Sequence, residues 1–434
     1  MGETAGREMY RFAGELFPIC RSLTGDGVRR TLRLIRAKLP GLKIHEVPSG
    51  TKCFDWTVPP EWNIRDAFVA DASGRRVIDF KAHNLHVVGY SEPVDRTMSL
   101  RELEPHLHSL PRQPEAIPYV TTYYKRGWGF CLPHRARGRL KQGTYRVRID
   151  STLAPGSLSY GELVIPGRSR EEVFLSTYVC HPSMANNEVS GPVVAAFLGR
   201  WLSSLKARRY TYRLYFGPET IGALAYLRKN LDVLKRRVVA GFVLTCVGDD
   251  RGWSFLPSPR GDTRADDAAL AVLERRVPGF KRYGWLDRAS DERQWCSPGV
   301  DLPMVSVMRS KYHVYPEYHT SLDDMSVISA NGLGGSLSVL QECLSALEAD
   351  RVYAAACLGE PQLGRRGLYH HLSTKGAVTG PQTLLDLFSC CDGKRGLLGV
   401  ARLMGCGVAD LAVPLAVLLE NGLVREVRPQ LRRR

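Results

Sequence analysis

Four short stretches bring together residue types that bind metal or move protons. His181 closes the apolar run of "STYVCHPSMANNEVSG", and Glu188 follows in the same stretch. Glu219 stands in "LYFGPETIG", Asp249 and Asp250 in "LTCVGDD", and Glu317 with His319 in "VYPEYHT". Each stretch directly follows a run that reads as a strand. A single His or Glu at a strand end is ordinary and usually means a polar turn. Four such ends on one sheet edge converge in space, and together they read as a site. Histidines and carboxylates with an open position suit zinc. Zinc acidifies a bound water enough to attack an amide near neutral pH, and a nearby carboxylate must take the proton. Glu219 is the candidate for that task. Gly217-Pro218 sharpens the turn before it, and a helix follows whose N-terminus favours a carboxylate.

Those strand ends need strand–helix alternation to line them up. From about residue 172 the chain provides it. "EVFLSTYV", "YTYRLYFG", "VVAGFVLTCVG" and "PMVSVM" read as strands. "GPVVAAFLGRWLSSL", "GALAYLRKNL", a segment near 262–276 and "NGLGGSLSVLQECLSALEA" read as helices. This pattern predicts an α/β fold with a doubly wound, mostly parallel sheet, whose sites gather at the carboxyl ends of strands. Residues 7–38 read as two further helices. Between about 43 and 168 short β-type runs alternate with Gly, Pro, Asn and Asp, and "DASG" marks a hairpin. After about 355, three short helices and a strand-like segment have the layout of a winged helix. The expected domains are therefore 1–45 with 170–350 (α/β), 46–169 (an inserted β-rich module) and 355–434 (winged-helix-like).

Bulk properties narrow the function classes. The 434 residues suffice for two or three cores. No apolar run reaches the ~18 residues of a membrane span. The start "MGETAGREMYRFAGELF" lacks the basic and apolar regions of a secretory signal, so a cytoplasmic location is expected. The 11 cysteines are scattered and form no zinc-finger spacing, which fits a reducing compartment. A net charge of +16 invites a nucleic-acid reading, but the arginines are spread along the chain. Their one dense cluster is the terminal "RPQLRRR", and "GVADLAVPLAVLLENG", where a recognition helix would lie, is nearly free of basic residues. Nucleic acid is therefore not the expected partner. The winged helix is expected to pack on the catalytic domain or on a second copy of the chain.

Over residues 172–348 the order of motifs resembles the bacterial leucine-type zinc aminopeptidases and their relatives. The matching residues are His181, Ser190-Gly191, Gly217-Pro218-Glu219 with Gly222, Ser290-Asp291 and Tyr318-His319-Thr320. The whole chain is more closely similar to a bacterial aminopeptidase-like family with an inserted β domain and a C-terminal winged helix. "FDWTVPPEWNIRDA", "NLHVVGYS", "TYVCHPSMANNEVSG", "GPETIGALAYL", "TCVGDDR", "SDERQWCSPGVDLP" and "PEYHTSLDD" carry that likeness.

The resemblance implies a metal-dependent amide hydrolase with Glu219 as general base. It also exposes departures. Where two-zinc members carry a bridging Asp, this chain has Asn187. Where they carry a metal-binding Glu after the base, it has Thr220. A third ligand Asp falls at Thr245, unless Asp249 or Asp250 substitutes. One zinc held by His181, Glu188 and His319 is the expectation, with a second ion as the alternative. Asp291 is expected to orient His319 or anchor a substrate amine, and Tyr318 to donate to an oxyanion. Asp250, Arg293 and Arg65 (beside Trp56 and Trp62, in a lid) are candidates for holding substrate. The expected substrate is a small peptide or peptide-like metabolite. A one-zinc acyltransferase or cyclase, or a DNA-binding regulator without enzymatic activity, are the competing readings.

Overall fold

The computed structural model of the chain describes residues 2–368 and 380–427, so the basic tail "RPQLRRR" lies outside the described residues. Two compact units divide it: Met1–Pro259 with Lys281–Ser338, and Arg260–Phe280 with Val339–Arg434.

The first unit is built on an eight-stranded sheet. From edge to edge its strands are Lys43–Pro48, Ser157–Ile165, Thr211–Gly217, Glu172–Tyr178, Val238–Val243, Met304–Met308, Ser254–Leu256 and Lys281–Arg282. The four central strands are parallel, and antiparallel pairs flank them. All seven residues of "EVFLSTY" are buried. Both faces of that strand are covered, so Val173, Phe174 and Leu175 follow one another without the alternation of a half-exposed strand. Its connections leave in opposite directions. Helix Ser190–Ser204 leads to the neighbour on one side, and helix Ile221–Arg237 returns to the neighbour on the other. Winding thus reverses at Glu172–Tyr178, the place where open α/β sheets bind ligands.

Register brings the strand ends level. Tyr178 lies opposite Gly217, and Ser176 opposite Val243. Helix Ser190–Ser204 sits close on the sheet because residue 191 is Gly; a Cβ there would lie 2.3 Å from the Leu244 carbonyl oxygen.

A four-stranded antiparallel sheet, Arg76–Asp79, Glu61–Ala70, Thr144–Ala154 and Val94–Ser99, forms the β-rich part. Its first hairpin turns at the predicted "DASG": Asp71 accepts from Ser73 N at 3.0 Å, and Gly74 takes a φ of 84°. Alternate residues of Thr144–Ala154 are buried, among them Val147 and Ile149 in a core shared with Ala67 and Val69.

In the second unit, helices Pro381–Cys390, Leu397–Met404 and Ala412–Glu420 pack with a sheet of Asp392–Gly396, Val352–Ala355 and Val424–Val427, around Leu384, Leu387, Leu397, Leu411 and Leu418. This is the predicted winged helix. Helix Arg264–Arg276 belongs to the same unit, where Asp267 meets Arg402 at 2.9 Å. Ala412, Val413, Ala416, Leu419 and Glu420 form the exposed face of helix Ala412–Glu420. All eleven cysteines are free. Among the described residues, no single helix is long and apolar enough to cross a membrane.

Candidate functional site

His181 leaves the sheet three residues beyond strand Glu172–Tyr178. A π-helical turn, Ala185–Val189, then opens helix Ser190–Ser204. Asp323 holds that turn, accepting from Asn186 N at 2.8 Å, Asn187 N at 2.9 Å and the Tyr315 hydroxyl at 3.0 Å. The turn aims Glu188 back at the histidine, with Oε2 2.8 Å from His181 Nδ1. Both side chains are buried. A buried carboxylate needs a counter-charge, and Arg21 provides it. Its Nε lies 3.5 Å from Glu188 Oε1 and donates to the His181 carbonyl at 3.0 Å. Burial works against the His181 imidazolium, but the Glu188 hydrogen bond and charge outweigh it and raise the pKa.

Glu219 follows strand Thr211–Gly217, and its Oε2 lies 3.8 Å from His181 Nε2, the opposite ring nitrogen. Its side chain is about one-fifth exposed. The backbone next to it is bent: Thr220 has a φ of 62°, and its N–H donates to Asp291 Oδ1 at 2.8 Å. Burial pushes the Glu219 carboxyl up, while His181 and Arg293 pull it partly back. Burial and the Glu219 charge push Asp291 well above the usual carboxylate range. Arg293 is exposed at their rim, its Nε donating to the Ser290 carbonyl at 3.1 Å.

His319 comes from the loop after strand Met304–Met308 and also holds a left-handed backbone, φ 56°. An ion pair between Arg251 and Glu317, 2.7 Å, anchors that loop. Tyr318 stacks on His319 with ring centroids 3.9 Å apart. Burial, with His181 and His313 nearby, brings the His319 pKa down to about 2, so its ring is neutral. Its Nε2 is buried without a hydrogen-bond partner.

These donors fit one divalent ion. Imidazoles sharing a tetrahedral zinc, with Zn–N of ~2.0–2.1 Å, place their ring centroids roughly 5 Å apart; those of His181 and His319 are 5.2 Å apart. With Glu188 on Nδ1, His181 keeps Nε2 for a ligand. A second cluster, Cys180, His181 and Glu188, uses Nδ1 instead and is wholly buried. The adjacent Arg21 charge repels a cation there, and burial with the Glu188 charge pushes the Cys180 thiol well above its usual range.

The neighbouring polar residues have these partners. Tyr178 OH meets Thr245 Oγ1 at 2.5 Å and accepts from Asn187 Nδ2 at 3.0 Å, while Asn187 Oδ1 is buried without a partner among the described residues. Asp249 is occupied by Asn186 Nδ2 at 2.9 Å, Ser310 N at 2.9 Å and Ser310 Oγ at 3.0 Å. Neutral amides and hydroxyls do not balance two dications.

The structure therefore gathers His181, Glu188, Glu219, Asp291, Tyr318 and His319, with Arg293 at the edge. Asp250 and Arg65 are placed differently. Asp250 is exposed and binds Ser329, Asn331 Nδ2 at 2.7 Å and Arg309 at 3.4 Å, ahead of helix Ala330–Ala349. Arg65 is exposed on the four-stranded sheet and paired with Asp150 at 2.6 Å. Trp62 is core, its Nε1 donating to Ser91 O at 2.9 Å, whereas Trp56 is exposed. Sequence reasoning passed over Arg21, Tyr119 and Asp323. Asp323 lies in "HTSLDD", beside a motif; Arg21 and Tyr119 carry no local signal.

Comparisons show the family and the fold. Residues 10–350 match the family model described as a domain of unknown function (DUF4910), and residues 351–426 match a winged helix-turn-helix model. A Clostridium acetobutylicum protein named "Putative polysaccharide biosynthesis protein with aminopeptidase-like domain" is 45% identical over 409 residues, covering 93% of this chain and 92% of that one. The crystal structure of a "putative peptidase" from the same organism matches with a TM-score of 0.90 and 41% identity, over 98% of this chain and 97% of that one. BSAP, a zinc aminopeptidase from Bacillus subtilis, matches with a TM-score of 0.56 and 13% identity, over 79% of this chain and 94% of that one, a likeness of fold.

Proposed function

Because the chain belongs to the DUF4910 family and shares the fold of zinc aminopeptidases, we propose that it is a one-zinc hydrolase of a small amide-bearing substrate. The observation that supports this best is the pair His181 and His319, with unshared ring nitrogens and Glu219 alongside. His181 and His319 would hold the ion, with Glu219 beside them as the base. When bound, it supplies Lewis acidity to a carbonyl and to water.

The chain's own groups supply the rest. Glu219 accepts a proton at Oε2 and returns it to the leaving amine. Burial and the Glu219 charge both oppose ionisation of Asp291 and raise its pKa well above the usual carboxylate range. Asp291 fixes the bend at Thr220, and so the aim of Glu219. In this reading Glu188 is the partner that sets the His181 tautomer rather than a direct ligand. Arg293 at the rim is placed to receive a substrate carboxylate.

Substrate identity is open to a direct panel. The Clostridium relative is named for polysaccharide biosynthesis, which adds N-acylated amino sugars to peptides and acyl-amino acids. Exposed Phe54, Trp56 and Tyr124 offer flat apolar faces for a sugar ring, and Trp56 meets Tyr124 edge-on at 5.5 Å. The test is metal analysis of the purified protein, then mass spectrometry of products from dipeptides, amino-acid anilides, N-acyl-amino acids and N-acylated amino sugars. Products that together gain one water mean hydrolysis. Loss of ammonia or water with ring closure, or acyl transfer between substrates, would replace the hydrolase reading.

A further inference from the structure

A short segment of the β-rich part of the chain, residues 117–123, reaches the site. Its backbone runs beside the His319 loop. Tyr119 N donates to the His319 carbonyl at 2.9 Å, Ser321 N to the Ile117 carbonyl at 2.9 Å, and Ile117 N to Ser321 Oγ at 3.0 Å. Pro118 and Thr320 pair as an antiparallel bridge between these contacts. Upstream, Gln113 Nε2 donates to the Pro316 carbonyl at 2.7 Å.

One side chain of this segment meets both candidate ligands. The Tyr119 ring lies 5.2 Å from His181 at 61° and 5.2 Å from His319 at 81°, an edge contact in each case. Its hydroxyl is joined to that of Tyr123. Behind it, Tyr123 stands edge-on to Tyr90 at 5.3 Å, and Tyr90 stacks on Trp62 at 5.8 Å. A continuous aromatic chain thus runs from the β-rich core to the two imidazoles.

The two histidines differ in what orients them. Glu188 fixes His181. Among the described residues neither ring nitrogen of His319 has a hydrogen bond, and the ring stacks on Tyr318 and meets Tyr119 edge-on. A ligand with no carboxylate or carbonyl partner depends on packing for its direction.

We propose that Tyr119 is a positioning residue: its ring sets the spacing and tilt of His181 and His319, so the β-rich segment completes the metal site of the sheet. This rests on the one-ion reading above. The hydroxyl serves only to hold the ring against Tyr123.

Cobalt(II) chloride titrated into the full-length protein tests it, read by the visible absorption band and the Kd. Wild type should show a tetrahedral band. Tyr119→Phe should stay near wild type in band and Kd, because the ring remains. Tyr119→Ala should weaken Kd about 10–100-fold, the range for outer partners of metal ligands, and shift the band. Tyr119→Leu, which keeps bulk without a flat edge, should shift the band too and covers the case in which Tyr119→Ala fails to fold. A wild-type band and Kd in Tyr119→Leu or Tyr119→Ala overturn the proposal and leave the one-ion reading standing. An effect of Tyr119→Phe as large as that of Tyr119→Ala also overturns it, because the hydroxyl rather than the ring then acts. A wild type that binds no cobalt overturns the one-ion reading and this proposal together.

Discussion

Glu188 and Glu219 stand on opposite sides of one imidazole: Oε2 of Glu188 is 2.8 Å from His181 Nδ1, and Oε2 of Glu219 is 3.8 Å from Nε2. The two carboxylates therefore have separable roles. Glu188→Gln should weaken zinc about 10–100-fold, the range for a ligand's outer partner, whereas His181→Ala should abolish tight binding. Isothermal titration with zinc reads both. Equal loss in the two variants would make Glu188 a direct ligand.

Glu219→Gln should keep its zinc and lose turnover by about 10²–10⁴, the range for a missing general base. The sign of the pH effect follows from burial, which raises the Glu219 pKa above its ordinary 4.5. The base form disappears as pH falls through that raised value. The acid limb of kcat/KM should thus lie above pH 4.5 in wild type and vanish with the carboxylate. A variant that loses its zinc would move the base elsewhere.

Asp291→Asn should be mild near neutral pH. Burial and the Glu219 charge disfavour the ionised form of Asp291, and an amide oxygen can still accept from Thr220 N. Asp291→Ala removes that acceptor and should cost much more. A profile of kcat against pH for both variants decides it; an Asn variant as poor as the Ala variant would mean that the ionised acid is needed.

Arg21→Ala should destabilise the protein by about 3–5 kcal/mol, because it leaves a buried carboxylate without its counter-charge. Both side chains of the Arg21–Glu188 pair are 1% exposed. The measurement is urea unfolding of the full chain. Arg21→Ala with Glu188→Gln should recover part of the loss. A double variant less stable than the sum of the two would contradict the pairing.

The winged helix should show no sequence-specific DNA affinity at physiological salt. Phosphate contacts need cations, and helix Ala412–Glu420 exposes Ala412, Val413, Ala416, Leu419 and Glu420. Retention of a defined duplex by the full-length protein, with steep salt dependence, would refute this.

How much of this the sequence revealed depends on the range of each interaction. Strand Glu172–Tyr178 and the helices around it were legible, because burial of both faces leaves Val173, Phe174 and Leu175 in succession. The short strands Ser254–Leu256 and Lys281–Arg282 were not, since two or three residues carry no period. His181, Glu219 and His319 were legible from their places after strands. Arg65 was misread: an Arg between aromatics looks like a lid, yet Asp150 lies opposite across the sheet. Asp250 resembled a ligand beside Asp249, but Ser329 and Asn331 claim it. Arg21 and Tyr119 act through contacts 167 and 200 residues away in the chain, and no local pattern records such a partner.

That distance bears on when the site exists. The reversal of winding at Glu172–Tyr178 makes the central strand wait for neighbours on both sides. His319 leaves the ribosome 138 residues after His181, roughly 7–28 s later at ~5–20 residues per second. Until then the nascent chain presents His181, Glu188 and the 117–123 segment without their closing loop. Assembly of the two-histidine pair is thereby deferred until His319 has emerged, and a product truncated before it cannot form the pair.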